Sequence, residues 1–403
     1  MDDFMEINES IVVNNATEEV PDRNVFILPW WQQLIWTLIF GSMIFVATGG
    51  NVIVMWIVLA HKRMRSVTNY FLVNLSLADT MVSTLNVIFN FIYMLDGHWP
   101  FGEAYCKISN FIAIVSVAAS VFTLMAISID RYMAIMHPLK PRMSRTTTLN
   151  ITVWIWILSV ILSFPNLLYS VTRIETFVNG DHRVICYMEW PDGPMTQSDD
   201  EYIYNVVILV VTYVLPITSM TFTYFRVGRE LWGSQSIGEC TQKQKESVKS
   251  KRKIVKMMIV VVVIFAVCWL PYHVYFLLAH HLPWIITVSN VQHTYLSIYW
   301  LAMSNSMYNP IIYCWMNSRF RQGFKRVFCC CKWKEEHVNP FEKRNFATVR
   351  HSYSEPYTET RVTINGNTNL ALHTVTESLN GSHTSSTPFL TPKTPRAERF
   401  SNV

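Results

Sequence analysis

Charge is what this sequence has little of. Of its 403 residues only 15% are Asp, Glu, Lys or Arg, while 51% are hydrophobic and 14% aromatic. Soluble domains carry about 25% charged residues, so a fold that turned this chain entirely to water would lack the polar surface to wet it. A cleaved signal peptide is also missing: residues 1 to 23 are acidic and no apolar core precedes a small-residue site, so the first apolar segment is expected to direct insertion itself. Nucleophile–base pairings are absent too. The histidines are scattered, which speaks against an enzyme.

What is present are long stretches free of charge. Ile108 to Ile129 is 22 residues long with no charged side chain, and as a helix it would reach roughly 33 Å, the depth of a bilayer's hydrocarbon core. Asn24 to Ala60, Thr146 to Thr172 and Tyr202 to Phe225 are uncharged or nearly so, and Ser66 to Leu95 holds only Asp79. Met257 to Ser318 runs 62 residues without charge, enough for two spans broken at "HHLPW", His280 to Trp284. Because a spanning backbone must satisfy its own hydrogen bonds, the spacing predicts seven helices. The fold class is an all-α membrane bundle over 33–316, after a segment 1–32 and before a short amphipathic eighth helix over 317–331 and a disordered tail over 332–403.

Orientation follows from the basic residues. Connections after spans one, three and five carry 15 Lys or Arg against three acids, whereas the opposite connections hold three basic residues against nine acids. The positive-inside rule then puts the N-terminus outside the cell and the C-terminus in the cytoplasm. The net charge of +5 is a membrane-facing asymmetry, and no nucleic-acid partner is expected. Asn8 and Asn15 head glycosylation triplets on the outer side. Cys106 and Cys186 sit in two different outer loops, where oxidation is permitted. Cys329, Cys330 and Cys331 follow the amphipathic segment on the inner side, where acylation by palmitate suits them. The 72 residues from Lys332 hold 18 Ser or Thr and no hydrophobic period, hence the expectation of disorder. The ending Ser401-Asn402-Val403 matches the pattern that PDZ domains take up by strand addition.

Polar residues within the spans need a reason, since a charge in hydrocarbon costs at least about 2.5 kcal/mol. Asp79 is either an acid satisfied by neighbouring hydroxyls and amides or a cation or proton site, with Asn51, Ser120, Asn305, Ser306 and Asn309 at matching depths. Pro216, Pro271 and Pro310 interrupt three successive spans and permit kinks. Asp130-Arg131 closes the third span: a snorkelling anchor on one reading, a releasable arginine on the other. An ion-coupled transporter using Asp79 is the rival class, weakened by one lone intramembrane acid and the absence of internal repeats.

Eight stretches, one or more per span and in order, settle between these readings: "GGNVIVMWIV", "NLSLADT", Cys106, "IDRYMAI", Trp156, Pro216, "CWLPYH" and "NPIIY". From about Trp30 to Cys331 the chain resembles the rhodopsin-like G-protein-coupled receptors. The resemblance implies a Cys106–Cys186 disulfide and an allosteric sodium ion around Asp79, Ser120 and Asn305. It implies an activation switch at Trp269, Pro271, Asn309, Pro310 and Tyr313, with Asp130, Arg131 and Tyr132 coupling to the G protein. No other cofactor is implied. "HKRMRSVTNYFLVNL", "DRYMAIMHPLKPR" and "KRKIVKMMIVVV" are similar, almost residue for residue, to the tachykinin receptors. That similarity implies an amidated neuropeptide as ligand, phospholipase C and calcium as output, and receptor kinases and arrestin acting on the tail. The pocket pattern falls on Asn86, Asn90, Tyr93, Asn110, Asn166, His273 and Tyr295. Ser109, Asn166 and Asn205 replace the vertebrate His, Gln and His, and Asp79 stands where one vertebrate member has Glu, which points to the invertebrate branch, whose peptides end in an amidated arginine. An amine receptor would need an acid where this chain has Ala113, and an opsin a lysine where it has Met303. The inner end of span six is basic (Lys249, Lys251, Arg252, Lys253), so no ionic lock from Arg131 to an acid there is expected.

Overall fold

The computed structural model describes residues 27–328, apart from 142, 178–179, 194–197, 234–241 and 283–290, together with 359–363 and 371–375. Among them are seven long helices: α1 (Trp30–Ala60), α2 (Val67–Asp96), α3 (Gly102–Met136), α4 (Arg145–Tyr169), α5 (Asp199–Gly233), α6 (Gln242–His281) and α7 (Val291–Met316). The short α8 (Ser318–Phe328) follows α7. The first six are long and apolar enough to cross a membrane. At about 1.5 Å per residue α7 is also long enough, near 39 Å, but Asn305, Ser306 and Asn309 dilute its apolar content. Those residues are buried against other helices, so lipid never meets them.

Local chemistry sets the helix ends. Ser66, Ser144 and Ser198 precede α2, α4 and α5, and each hydroxyl accepts a hydrogen bond from a backbone amide three residues on. Asp199, Asp200 and Glu201 add negative charge to the first turn of α5, where the helix dipole favours it. Gly97 ends α2 in the left-handed region at φ 60°, a conformation that costs glycine nothing. The predicted break at His280–Trp284 is met by α6 ending at His281.

Burial ranks the helices. In their most apolar windows α2 and α3 are 61% and 56% buried, against 33% for α1 and 22% for α4, so α2 and α3 are central and α1 and α4 face outward. Phe45, Trp154 and Phe222 are exposed on the outer surface, as lipid-facing side chains should be. Two close approaches fix α1. A Cβ on Gly50 would lie 2.7 Å from the Pro310 ring of α7, and one on Gly323 of α8 would lie 2.6 Å from Ile57. Small residues let helix backbones come this near.

Three features have no counterpart in the expected pattern. The helical frame widens to a π-turn at Ser83–Val87 within α2 and again at Val210–Val214 within α5. Strands β1 (Ser170–Thr176) and β2 (His182–Met188) form an antiparallel hairpin between α4 and α5, pairing Ser170 with Met188 and Thr172 with Cys186. The chain divides into two units, Met1–Cys330 and Cys331–Val403. In the second, β3 (Glu359–Thr363) and β4 (Ala371–Val375) pair antiparallel. The rest of the tail expected to be disordered lies outside the described residues, as do Asn8, Asn15, Cys329, Cys330, Cys331 and the Ser401–Val403 ending.

Candidate functional site

The hairpin lies across the end of α3 and is tied there at several points. Cys106 of α3 and Cys186 of β2 form a disulfide, the pairing that the family resemblance implied. The Trp99 amide donates to Val184 O at 2.8 Å, and Val184 N donates to His98 Nδ1 at 3.1 Å. Asn110 donates to Ser170 Oγ at 3.1 Å. Beyond β2, Asp192 accepts from Ser198 Oγ at 2.6 Å and from the Asp200 amide at 2.9 Å. These bonds, the Asp200 amide first, hold the Asp192 carboxyl below its ordinary range.

Beneath the hairpin a polar network joins α2, α3 and α7. Asn86 donates to Ser109 O at 3.0 Å and lies 3.2 Å from Ser109 Oγ, while Asn90 reaches the same hydroxyl at 3.2 Å. Tyr299 OH donates to Asn86 Oδ1 at 2.8 Å. Tyr295 stacks on Tyr299 with ring centroids 6.1 Å apart, and Phe276 of α6 meets Tyr295 at 6.4 Å. Tyr93 packs edge-on against Trp99 at 5.6 Å.

The other expected pocket residues lie further round. His273 is buried on α6, against Tyr213 at 5.1 Å and Trp269 at 6.1 Å. Asn166 turns to Tyr204 OH between α4 and α5. Of the seven expected residues, Asn86 and Asn90 meet at Ser109, and Asn86 meets Tyr299, on which Tyr295 stacks, whereas Tyr93, Asn110, Asn166 and His273 contact other neighbours. Ser109 enters the sequence reading only as a departure from pattern, and Tyr299 not at all; its one signal is its place one helical turn after Tyr295.

Deeper in the bundle, Asp79 is 2% exposed. Ser120 Oγ donates to one carboxylate oxygen at 3.0 Å and Asn309 Nδ2 to the other at 2.8 Å. Beside it lies a small cavity of about 20 Å³ lined by Asp79, Ser116, Ser120, Trp269, Asn305 and Ser306 among others. Asn305 lines this cavity, whereas Asn309 is the amide that touches Asp79. A single carboxylate with hydroxyl and amide oxygens is a set of hard donors, and it fits a hard cation of low charge. Asn51 donates to Ser306 O at 2.9 Å, which ties α1 to the same level. Asn74 binds Thr123 at 2.7 Å and takes the Trp156 indole N–H at 2.8 Å, joining α2, α3 and α4.

At the opposite end from the hairpin, Thr68 of α2 donates to Asp130 Oδ2 at 2.6 Å, and the same oxygen sits 3.4 Å from Arg131 Nη2. Arg131 also meets the Thr68 hydroxyl. Tyr132 packs near His137 at 6.1 Å. Arg252 of α6 donates twice to Leu231 O of α5, at 2.9 and 2.6 Å. Tyr313 is buried and meets Phe320 of α8 at 5.8 Å.

The comparisons agree with this geometry. The family described as "7 transmembrane receptor (rhodopsin family)" matches residues 50–313. The chain is 59% identical over 330 residues to the Tachykinin-like peptides receptor 99D of Drosophila melanogaster, covering 82% of this chain and 63% of that one. It is 57% identical over 304 residues to the Tachykinin-like peptides receptor 86C of the same organism, covering 75% and 60%. With the Neuromedin-K receptor of Oryctolagus cuniculus it shares 45% over 342 residues, covering 84% and 71%. The chain thus spans about three-fifths of the length of the two Drosophila relatives. It belongs to the rhodopsin family of seven-transmembrane receptors, in the group that holds these relatives.

Proposed function

We propose that the chain is a receptor for an amidated tachykinin-like neuropeptide that activates a heterotrimeric G protein, with phospholipase C and calcium as the output. The observation that carries this reading is the 59% identity with a receptor named for tachykinin-like peptides. The network beneath the hairpin supports it. An amide terminus presents both donors and acceptors, and Asn90, His273 and Tyr295 offer groups of both kinds, while Asn86 is held by Ser109 and Tyr299 beside them. The hairpin end faces outside the cell and the Asp130–Arg131 end faces the cytoplasm, in keeping with the basic loops. In the resting receptor Asp130 and Thr68 hold Arg131; on activation Arg131 is released to the G protein.

Asp79, Ser120 and Asn305 are the residues that would hold an allosteric sodium ion, whose charge would offset the buried carboxylate. Trp269, Pro271, Asn309, Pro310 and Tyr313 carry the change between the two ends. Receptor kinases and arrestin act on the Ser/Thr-rich tail, glycans sit on Asn8 and Asn15, and palmitate joins one or more of Cys329, Cys330 and Cys331 to the inner leaflet. A PDZ domain takes the Ser401–Val403 ending. The test is calcium mobilisation in transfected cells across a panel of amidated neuropeptides and their free-acid forms. A response confined to amidated tachykinin-like peptides is expected. Silence towards all of them, with normal surface expression, would overturn the reading.

A further inference from the structure

The end of α5 remote from the hairpin carries a pattern that the receptor reading does not use. Met220, Tyr224, Val227 and Leu231 form its buried face, turned into the bundle. Phe222, Phe225, Arg226, Arg229 and Trp232 recur every three or four positions on the opposite face, and all five are exposed. The Arg226 guanidinium lies 6.0 Å over the Phe222 ring, and that of Arg229 lies 6.0 Å over Phe225. Two guanidiniums thus rest on aromatic faces at the perimeter of the bundle, directly after the apolar run that ends at Phe225.

The neighbouring helix adds to the same patch. Arg252 of α6 lies 5.8 Å over the Trp232 ring and donates twice to Leu231 O, which fixes it at the edge of the α5 stripe. Lys249 stands three residues before it and Lys256 four after, both exposed and on the same face of α6. Five basic groups therefore gather around three exposed aromatic rings. The ion pairs found among the described residues lie elsewhere, at Lys107, Arg131 and Arg183. Two acids stand on these helix ends. Glu230 follows Arg229 and so points about 100° away from it, and Glu246 lies six residues before Arg252. The patch keeps a net positive charge.

A phosphorylated lipid headgroup suits both halves of this surface. Guanidinium forks bind phosphate oxygens in pairs, and the lysines add point charges around them. Phe222 and Phe225, 61% and 62% exposed, offer apolar surface at the depth where acyl chains begin. The stripe faces away from the bundle, so a ligand held between the helices would not touch it, whereas a lipid on the perimeter must. We propose that Arg226 and Arg229 of α5, with Lys249, Arg252 and Lys256 of α6, form a site for a phospholipid headgroup carrying several phosphates, its acyl chains lying against Phe222 and Phe225. One phosphodiester engages a single guanidinium, and five cations call for more than that. The inference goes beyond the receptor reading and requires only that this end of the helices meets a leaflet.

The test titrates the purified full chain in detergent micelles with phosphatidylinositol bisphosphate, phosphatidylserine or soluble inositol trisphosphate, and counts bound ligand by native mass spectrometry. The bisphosphate lipid should bind about tenfold tighter than phosphatidylserine and tighter than the soluble headgroup. Arg226→Gln with Arg229→Gln should weaken it about tenfold or more, whereas Arg319→Gln with Lys325→Gln, which removes the same charge from exposed positions of α8, should change it by less than about twofold. Melting temperatures report that both double variants are folded. Equal losses in the two would reduce the patch to a diffuse basic field and overturn the site. Equal binding of phosphatidylserine, or of the soluble headgroup, would overturn it as well. Independently of any variant, a bisphosphate lipid with a diazirine near the head of one acyl chain should label the wild-type fragment spanning 222–232; labelling confined to other helices would also overturn the site. None of these measurements uses a peptide agonist, so failure of the lipid site and failure of the receptor reading are distinguishable.

Discussion

Asn309 of α7 donates a 2.8 Å hydrogen bond to Asp79 of α2, across 230 positions of sequence, while Ser120 of α3 takes the other carboxylate oxygen. One buried acid therefore holds three helices at the level of Trp269 and the small cavity beside it. Replacing sodium by an impermeant organic cation is expected to raise agonist affinity several-fold on the wild type, because the cation competes with the rearrangement of these helices. Asp79→Asn keeps the shape and removes the charge, so it should abolish the sodium effect. Competition binding in the two salts checks this; a sodium effect that persists in Asp79→Asn would remove Asp79 from the site.

The Asn86 network separates holding from binding. Asn86 is 2% exposed and spends its amide on Ser109 and Tyr299, so Tyr299→Phe leaves a buried oxygen without its donor, at a cost of about 1–3 kcal/mol. Asn90 is only half-buried and makes weaker contacts. Tyr299→Phe is expected to lower the thermal stability of the purified receptor. Asn90→Ala should leave stability unchanged and raise the agonist concentration needed about tenfold, equivalent to roughly 1.4 kcal/mol. Thermal melts alongside dose–response curves decide it. Unchanged potency in Asn90→Ala would take that residue out of the pocket.

At the other end, Thr68 satisfies Asp130 and also meets Arg131. Arg131→Ala should abolish G-protein output and leave agonist binding within a fewfold of wild type. Asp130→Asn and Thr68→Val should both raise basal inositol phosphate, since each loosens the hold on Arg131. Thr68 is the discriminating variant, because it is neutral: a rise there points to the hydrogen bond, and no rise would show that this hydrogen bond does not restrain the arginine.

Much of this is legible in the amino-acid sequence. Charge-free intervals located all seven spans because hydrocarbon tolerates so few ions, and "HHLPW" marked the end of α6. The depth of Asp79 was readable; which amide would meet it was not, because Asn305 and Asn309 lie one helical turn apart and only packing chooses. The hairpin left a signal in its β-branched residues, Val171, Thr172 and Ile174 on one strand and Val184 and Ile185 on the other, yet its charges read as a plain loop. The π-turns at Ser83–Val87 and Val210–Val214 leave no mark in composition, since one widened turn is set by tertiary contacts. The pairing of Trp190 with Tyr204 depends on how the hairpin returns over α5, which no local pattern encodes.

Two glycines let α1 approach its neighbours. Gly50 has no Cβ where the Pro310 ring would stand 2.7 and 2.9 Å from one, and Gly323 has none where Ile57 would stand 2.6 to 3.0 Å away. The two contacts differ in how they can yield. Pro310 is a rigid ring inside α7, so Gly50→Ala must push α1 from α7 and strain the helix carrying Asn51, which itself bonds Ser306 O. Ile57 is a flexible aliphatic side chain, and a shortened one would make room. Both substitutions are overpacking errors, worth about 1–3 kcal/mol each. Gly323→Ala is expected to lower the melting temperature of the purified receptor, and adding Ile57→Ala should recover part of the loss, because the two changes touch the same space. Gly50→Ala should show no such recovery with Ile57→Ala, since its obstacle is the proline. Measured melting temperatures for the four combinations test the geometry directly: if Ile57→Ala and Gly323→Ala simply add, α8 does not lie against α1 at that contact.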